Sequence, residues 1–279
     1  MNQDTPWQEG LEGNLLLLSP HYDDEILGCG GLLALLPDKQ RIHVLFATAG
    51  DSLPIATRHA DAPKDIGEIR KQESIAALQH LGIPSNQLHF LNLPEKHLAA
   101  EHEILTRELE GVIQNLQPAT ILLPFRFDQH PDHLALYSAG RRAATRHAPN
   151  VVLLEYFVYV NYPLLPRKDI RRYCKPEFIK KIDISVVSTK KAEALNLFTS
   201  QTTLYYPGQC RPVLSQELIA DYAAGPEYYL QCPPDRHPCI LPTGLIQLAQ
   251  HLQPNLKRIK ENLRAHLAGC RALVLPAFS

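Results

Sequence analysis

With 279 residues, 45% apolar and 20% charged, the chain can bury a substantial core and is composed like an ordinary globular protein. A formal net charge of -1 argues against a dedicated nucleic-acid binder, which carries a basic surplus. The polar start MNQDTPWQEGLEGN has no basic region leading into an apolar core, and no stretch approaches the ~20 apolar residues of a membrane span. We therefore expect neither signal peptide nor transmembrane segment, and a cytoplasmic location.

The first apolar run, Leu15–Ser19, reads as a strand buried on both faces, with a helix over Ile26–Leu36 after it. RIHVLFATAG (41–50) is a second strand ending in Ala-Gly. Residues 66–82 have helical spacing and stop at Gly82. LHFLNL (88–93) is a third strand, 105–118 a helix stopped by Pro118, TILLPF (120–125) a fourth strand, 133–148 a helix and 151–160 a fifth strand. Beyond 160 the alternation loosens. A strand is expected at 180–185 and a helix at 186–201, while 225–239 reads as loop. Leu245, Leu248, Leu252, Leu256, Ile259, Leu263 and Leu267 form a stripe over 244–269, kinked or split at Pro254. Packing on the domain is the plain reading of that stripe. A homo-oligomer contact, or a basic membrane-touching face with Lys257, Arg258, Lys260 and Arg264, is the alternative.

Alternating strands and helices predict an α/β fold: a Rossmann-like open, mostly parallel sheet with helices on both faces. We divide the chain into a domain of residues 1–235 and a C-terminal helical extension of 236–279. In such sheets ligands bind beyond the carboxyl ends of the strands. SPHYDDE follows strand one, TAGD strand two and RFDQHPDH strand four, so three polar clusters fall on one edge.

In a turn that opens a helix, residues i and i+3 share a side. His21 and Asp24 of HYDD can then face one point, and His130 and His133 of HPDH repeat the spacing, with Pro131 suited to a first helical turn. A catalytic zinc takes three N or O ligands and keeps one position open. The residues offer His21, Asp24 and one of His130 and His133 for that set, leaving Asp23 as base for a bound water. The plain alternatives are acids complementing a helix dipole and a polar surface turn. Glycines 28, 30 and 31 fit close helix–sheet packing and do not form a G-x-G-x-x-G fingerprint. The six cysteines, at 29, 174, 210, 232, 239 and 270, are too scattered for a disulfide framework. CPPDRHPC offers a metal clip of Cys232, His237 and Cys239, but it lacks a C-x-x-C knuckle, and free thiols in a Pro-rich loop are the preferred reading.

SPHYDDEILGCGG, TAGD, RKQE (70–73), HLG (80–82), HPDH and KKAEALNLFTSQ (190–201) occur in that order. Over residues 14–230 the chain thereby resembles the PIG-L/LmbE-like family of metal-dependent N-acetylglucosaminyl deacetylases. The resemblance implies His21, Asp24 and His133 as metal ligands and Asp23 as general base; by its donors that set takes Zn2+ and also suits Fe2+. It further implies His130 as the protonated group that stabilises the oxyanion, Asp132 as the residue that orients His130, and an N-acetylated amino sugar as substrate. Arg70 matches an arginine that contacts the sugar, and Glu95 of LNLPE a less exact sugar contact. Tyr22 replaces the usual proline and is expected to line the pocket. Two histidines and a carboxylate also make the facial triad of non-haem iron enzymes. Another zinc amidohydrolase, or a metal-stabilised sugar-binding protein with a decayed site, completes the set of alternatives.

Overall fold

Four leucines in a row bury both faces of a strand only if layers pack on each side, and that is where the chain puts them. The computed structural model describes residues 11–52, 65–205, 209, 211–233 and 236–252. Leu15–Ser19 (β1) is paired in parallel with Ile42–Thr48 (β2) on one side and Thr120–Pro124 (β4) on the other. Leu88–Leu93 (β3) extends the sheet beyond β2, and Val152–Tyr156 (β5) beyond β4, both in parallel. Leu15 and Leu17 face a core shared with helices Asp24–Leu35 (α1), Ile66–His80 (α2) and Ser188–Asn196 (α5). Leu16 and Leu18 face the other core, with His102–Leu116 (α3) and Pro131–His147 (α4). Each such leucine contributes roughly 1.5–3 kcal/mol by leaving water.

The strand order is β3-β2-β1-β4-β5-β7-β6, where β6 is Ile179–Ile182 and β7 is Glu227–Leu230. The last two strands depart from the expected pattern. β7 runs antiparallel to both β5 and β6. It falls in the stretch 225–239 that the sequence presents as loop, because four residues are too few to display a period. The expected helix over 186–201 is broken at Leu197 and Phe198 into α5 and Thr199–Thr202 (α6). Gln216–Ala224 (α7) precedes β7. The mostly parallel α/β expectation otherwise holds.

The described residues form two compact units: those up to Tyr159 with those of Glu177–His237, and Val160–Pro176 with 238–252. In the second unit a helix over 243–252 buries Ile246 and Ala249 and exposes Leu245, Leu248 and Leu252. The rest of the leucine stripe, with Pro254 and its basic neighbours, lies outside the described residues. No helix among the described residues is long and apolar enough to cross a membrane.

Helix α1 is gripped at mid-length. The Glu227 carboxylate accepts the N–H groups of Gly31 (2.6 Å) and Leu32 (2.8 Å) and the Tyr229 hydroxyl (2.7 Å). Lys191 Nζ donates to that carboxylate (2.8 Å) and to the Leu27 carbonyl (2.9 Å). Both charged side chains are buried. Gly28 lets the same helix lie on β5, since a Cβ there would come within 2.4 Å of the Tyr156 ring. Removing one partner of a buried ion pair leaves the other uncompensated, at about 3–5 kcal/mol. We expect Lys191→Met to lower unfolding stability by that amount in urea titrations; a loss under about 1 kcal/mol would contradict the clamp.

Candidate metal centre and cavity

Parallel sheets bind ligands where the strand order reverses, and here the reversal lies between β1 and β4. The chain leaves β1 through Pro20 and His21, then turns at Asp23 into α1. Asp23 has φ 118°, a conformation that strains a non-glycine residue by about 1–3 kcal/mol. Glu25 holds the turn: its carboxylate accepts the Asp23 N–H (2.9 Å) and the Ser74 hydroxyl (2.5 Å). After β4 the chain reaches His130, which caps α4 by accepting the Asp132 N–H on Nδ1 (3.2 Å).

These turns bring three atoms together. His21 Nδ1 lies 3.0 Å from Asp24 Oδ2, His133 Nε2 lies 3.1 Å from the same oxygen, and the two ring nitrogens are 3.3 Å apart. His21, Asp24 and His133 are buried. Two ligands on one tetrahedral zinc, each at ~2.0–2.1 Å, stand roughly 3.3 Å apart, so the triangle fits such an ion. Asp24 Oδ1 is buried with no hydrogen-bond partner among the described residues. A wider group also fits, since ring nitrogens of His21, His130 and His133 all lie within 4.8 Å of one another. Among the described residues no other group of three or more such side chains is arranged to hold a metal.

Behind the triangle stand two carboxylates. Asp132 Oδ2 is 3.1 Å from His21 Nε2, and Asp128 Oδ2 is 3.3 Å from His133 Nδ1. Such partners fix the tautomer and orientation of metal-binding imidazoles. Asp128 went unassigned in the sequence; its only signal there was an acid two residues before HPDH. The expected role of Asp132 changes. Its carboxylate stays 4.0 Å from His130 Nδ1 and instead meets His21 and the N–H groups of Lys96 (2.6 Å) and Leu98 (3.2 Å). The Asp132 main chain, not its side chain, holds His130.

Electrostatics follow from burial. Burial disfavours a charged His21, but the hydrogen bonds it donates to Asp132 and Asp24 outweigh this and push the imidazole up to about 9. His133 is likewise raised by Asp128 and Asp24 against its own burial. Asp24 is buried too, yet His133 and His21 hold it well below the usual carboxylate range. Asp23 moves the other way: burial and the charge of Asp24 push it up to about 7. His130 is pushed down to about 4 by burial and by its two histidine neighbours. A neutral His130 that accepts the Asp132 N–H hydrogen bond on Nδ1 carries its own proton on Nε2. Burial raises Glu25 to about 8.

His21, Asp23, His130, Arg70 and Glu95 line one cavity with Ser52, Lys96, Tyr159, Gln201 and Val213. It holds about 620 Å³ of empty space, its mouth included, which suits a small molecule. Arg70 donates to the Gly50 carbonyl (3.2 Å), the Tyr22 carbonyl (3.4 Å) and Glu95 (3.3 Å), clasping the loops after three strands. Tyr22 does not line the cavity. Its ring is buried against Phe46 and Phe90, under Gly50, whose φ of +64° and a Cβ that would come within 2.5 Å of that ring require glycine.

Imidazoles must lose their protons to ligate a cation, whereas Asp24 is already ionised. We expect zinc added at pH 7.5 to release between one and two protons per ion, read by calorimetry in buffers of different ionisation enthalpy. Binding without proton release would contradict the charged imidazoles.

The PIG-L family model, described as GlcNAc-PI de-N-acetylase, matches residues 16–144. A probable N-acetyl-alpha-D-glucosaminyl L-malate deacetylase 2 of Bacillus cereus is 32% identical over 141 residues, 49% of this chain and 63% of the relative. The chain thus spans less than two thirds of that protein. The uncharacterized deacetylase YaiS of Escherichia coli K12 is 31% identical over 144 residues, 50% of this chain and 71% of the relative. An N,N'-diacetylchitobiose deacetylase from Pyrococcus horikoshii shares the fold, at TM-score 0.59 and 17% identity, over 83% of this chain and 87% of that one.

Proposed function

The chain belongs to the PIG-L family, and we propose that it is a zinc-dependent hydrolase that removes the N-acetyl group of a 2-acetamido sugar. The observation that carries this reading is one cavity lined both by His21, a member of the ligand triangle, and by Asp23, a carboxylate outside that triangle. His21, Asp24 and His133 would hold the metal, and the same donors suit Fe2+. Bound there, the ion supplies a Lewis acid that polarises the amide carbonyl and acidifies a water.

The remaining steps belong to the chain. Asp23 takes the proton of the attacking water. His130 presents Nε2–H to the oxygen that gains charge, where a fixed donor in a dry site acts most strongly. Asp23 then returns its proton to the leaving amine, giving acetate and a free amino sugar. Asp132 and Asp128 orient the two ligand imidazoles. Arg70 and Glu95 meet the sugar at the cavity wall. An oxygenase has no use for a base one residue from a ligand, which favours hydrolysis over the iron-enzyme reading.

The test is amine release, followed with fluorescamine, from GlcNAc, GlcNAc-malate, GlcNAc-inositol, UDP-GlcNAc and diacetylchitobiose by the metal-loaded protein. We expect release from at least one, and a fall of about 10²–10⁴-fold in Asp23→Asn with metal content unchanged. Activity kept within tenfold, or no release from any of the five, would contradict the reading.

Asp23 must be ionised to accept a proton, so kcat/KM rises with pH through its pKa. Burial and Asp24 raise that pKa to about 7, and a bound cation draws it back. We expect the acid limb of kcat/KM between ~4, the ordinary carboxylate value, and about 7. A profile flat down to pH 4 would contradict Asp23 as the base.

A further inference from the structure

Cys174 and Cys239 face each other within the second compact unit. Both are buried thiols, 65 positions apart in sequence, and their sulfurs stand 3.9 Å apart. The main chain holds them in place. Lys175 N–H donates to the Pro238 carbonyl (2.7 Å), and Ile240 N–H donates to the Tyr173 carbonyl (2.8 Å). Those bonds bracket the two cysteines, which makes them a non-hydrogen-bonded antiparallel pair. In such pairs the Cα atoms are roughly 4.5 Å apart and the side chains are at their closest. That spacing lies inside the ~4.4–6.8 Å that a disulfide spans, so side-chain rotation closes the bond without moving the backbone.

We propose that Cys174 and Cys239 are a redox pair that closes reversibly into a disulfide. With hydrogen peroxide as oxidant, one thiolate attacks a peroxide oxygen; the O–O bond breaks, giving a sulfenic acid and, after proton uptake, water. The second sulfur then attacks the first, the S–O bond breaks, and the hydroxyl leaves as a second water. Two thiols and one peroxide become one disulfide and two waters; the sulfurs lose two electrons and the peroxide gains them. The closed ring of chain runs through Lys191 and Glu227, which grip α1, and through Gln201 and Val213 of the cavity. Oxidation therefore ties down in the unfolded chain a segment that supports the metal site when folded. This inference does not depend on the reaction proposed above.

The experiment treats the purified full chain with hydrogen peroxide, denatures and alkylates it, and maps the peptides by mass spectrometry. We expect peptides joined through Cys174 and Cys239, separated again by dithiothreitol. The midpoint of thermal unfolding should rise by about 5–10 °C on oxidation. The rise should persist in Cys232→Ser and vanish in Cys174→Ala. Cys174 and Cys239 recovered as separately alkylated or sulfinic residues, or either one joined to a different cysteine, would overturn the proposal. The wild-type map alone decides this, whether or not a variant folds.

Discussion

The structure depends on one convergence: two imidazole nitrogens and a carboxylate oxygen, all buried, within 3.3 Å of one another where the sheet reverses its order. Charged groups so deep in a protein are costly unless each finds an opposite charge or a cation. The chain answers with further carboxylates, Asp128 and Asp132, each placed behind one imidazole. The resulting alternation of acid, imidazole and acid is the arrangement that proteins use to hold a metal firmly.

Local strain is arranged around that convergence. Asp23 occupies an unfavourable backbone conformation because the turn must aim its carboxylate into the cavity while Asp24 opens α1. The Glu25 carboxylate, the Arg70 guanidinium and the Gly50–Tyr22 contact each hold one side of that turn. Further along the helix, Lys191 and Glu227 fix it from below. Asp24, on the first turn of that helix, is only as well placed as the helix itself. The buried ion pair thus bears on the candidate site without touching it.

Much of this could be read from the sequence because the relevant physics is local. Strands covered on both faces must be continuous apolar runs, so β1 to β5 were visible. The i, i+3 spacing of His21 with Asp24 puts both side chains on one side of a turn, and that survives folding. What escaped depends on distant partners. Strand β7 is four residues long and takes its place from β5 and β6. Tyr22 looked like a pocket residue until Phe46, Phe90 and Gly50 were seen to enclose it. Asp132 sits two residues from His130, yet its carboxylate meets His21, 111 positions away. Lys191 and Glu227 are ordinary polar letters until the sheet buries them.

The most direct test of the account is anomalous diffraction at the zinc edge from crystals grown with the metal. One strong peak is expected, bounded by His21 Nδ1, Asp24 Oδ2 and His133 Nε2, with Asp23 and His130 facing it and not bonded to it. A peak ligated by His130 in place of Asp24, or no peak in the cavity at all, would contradict it.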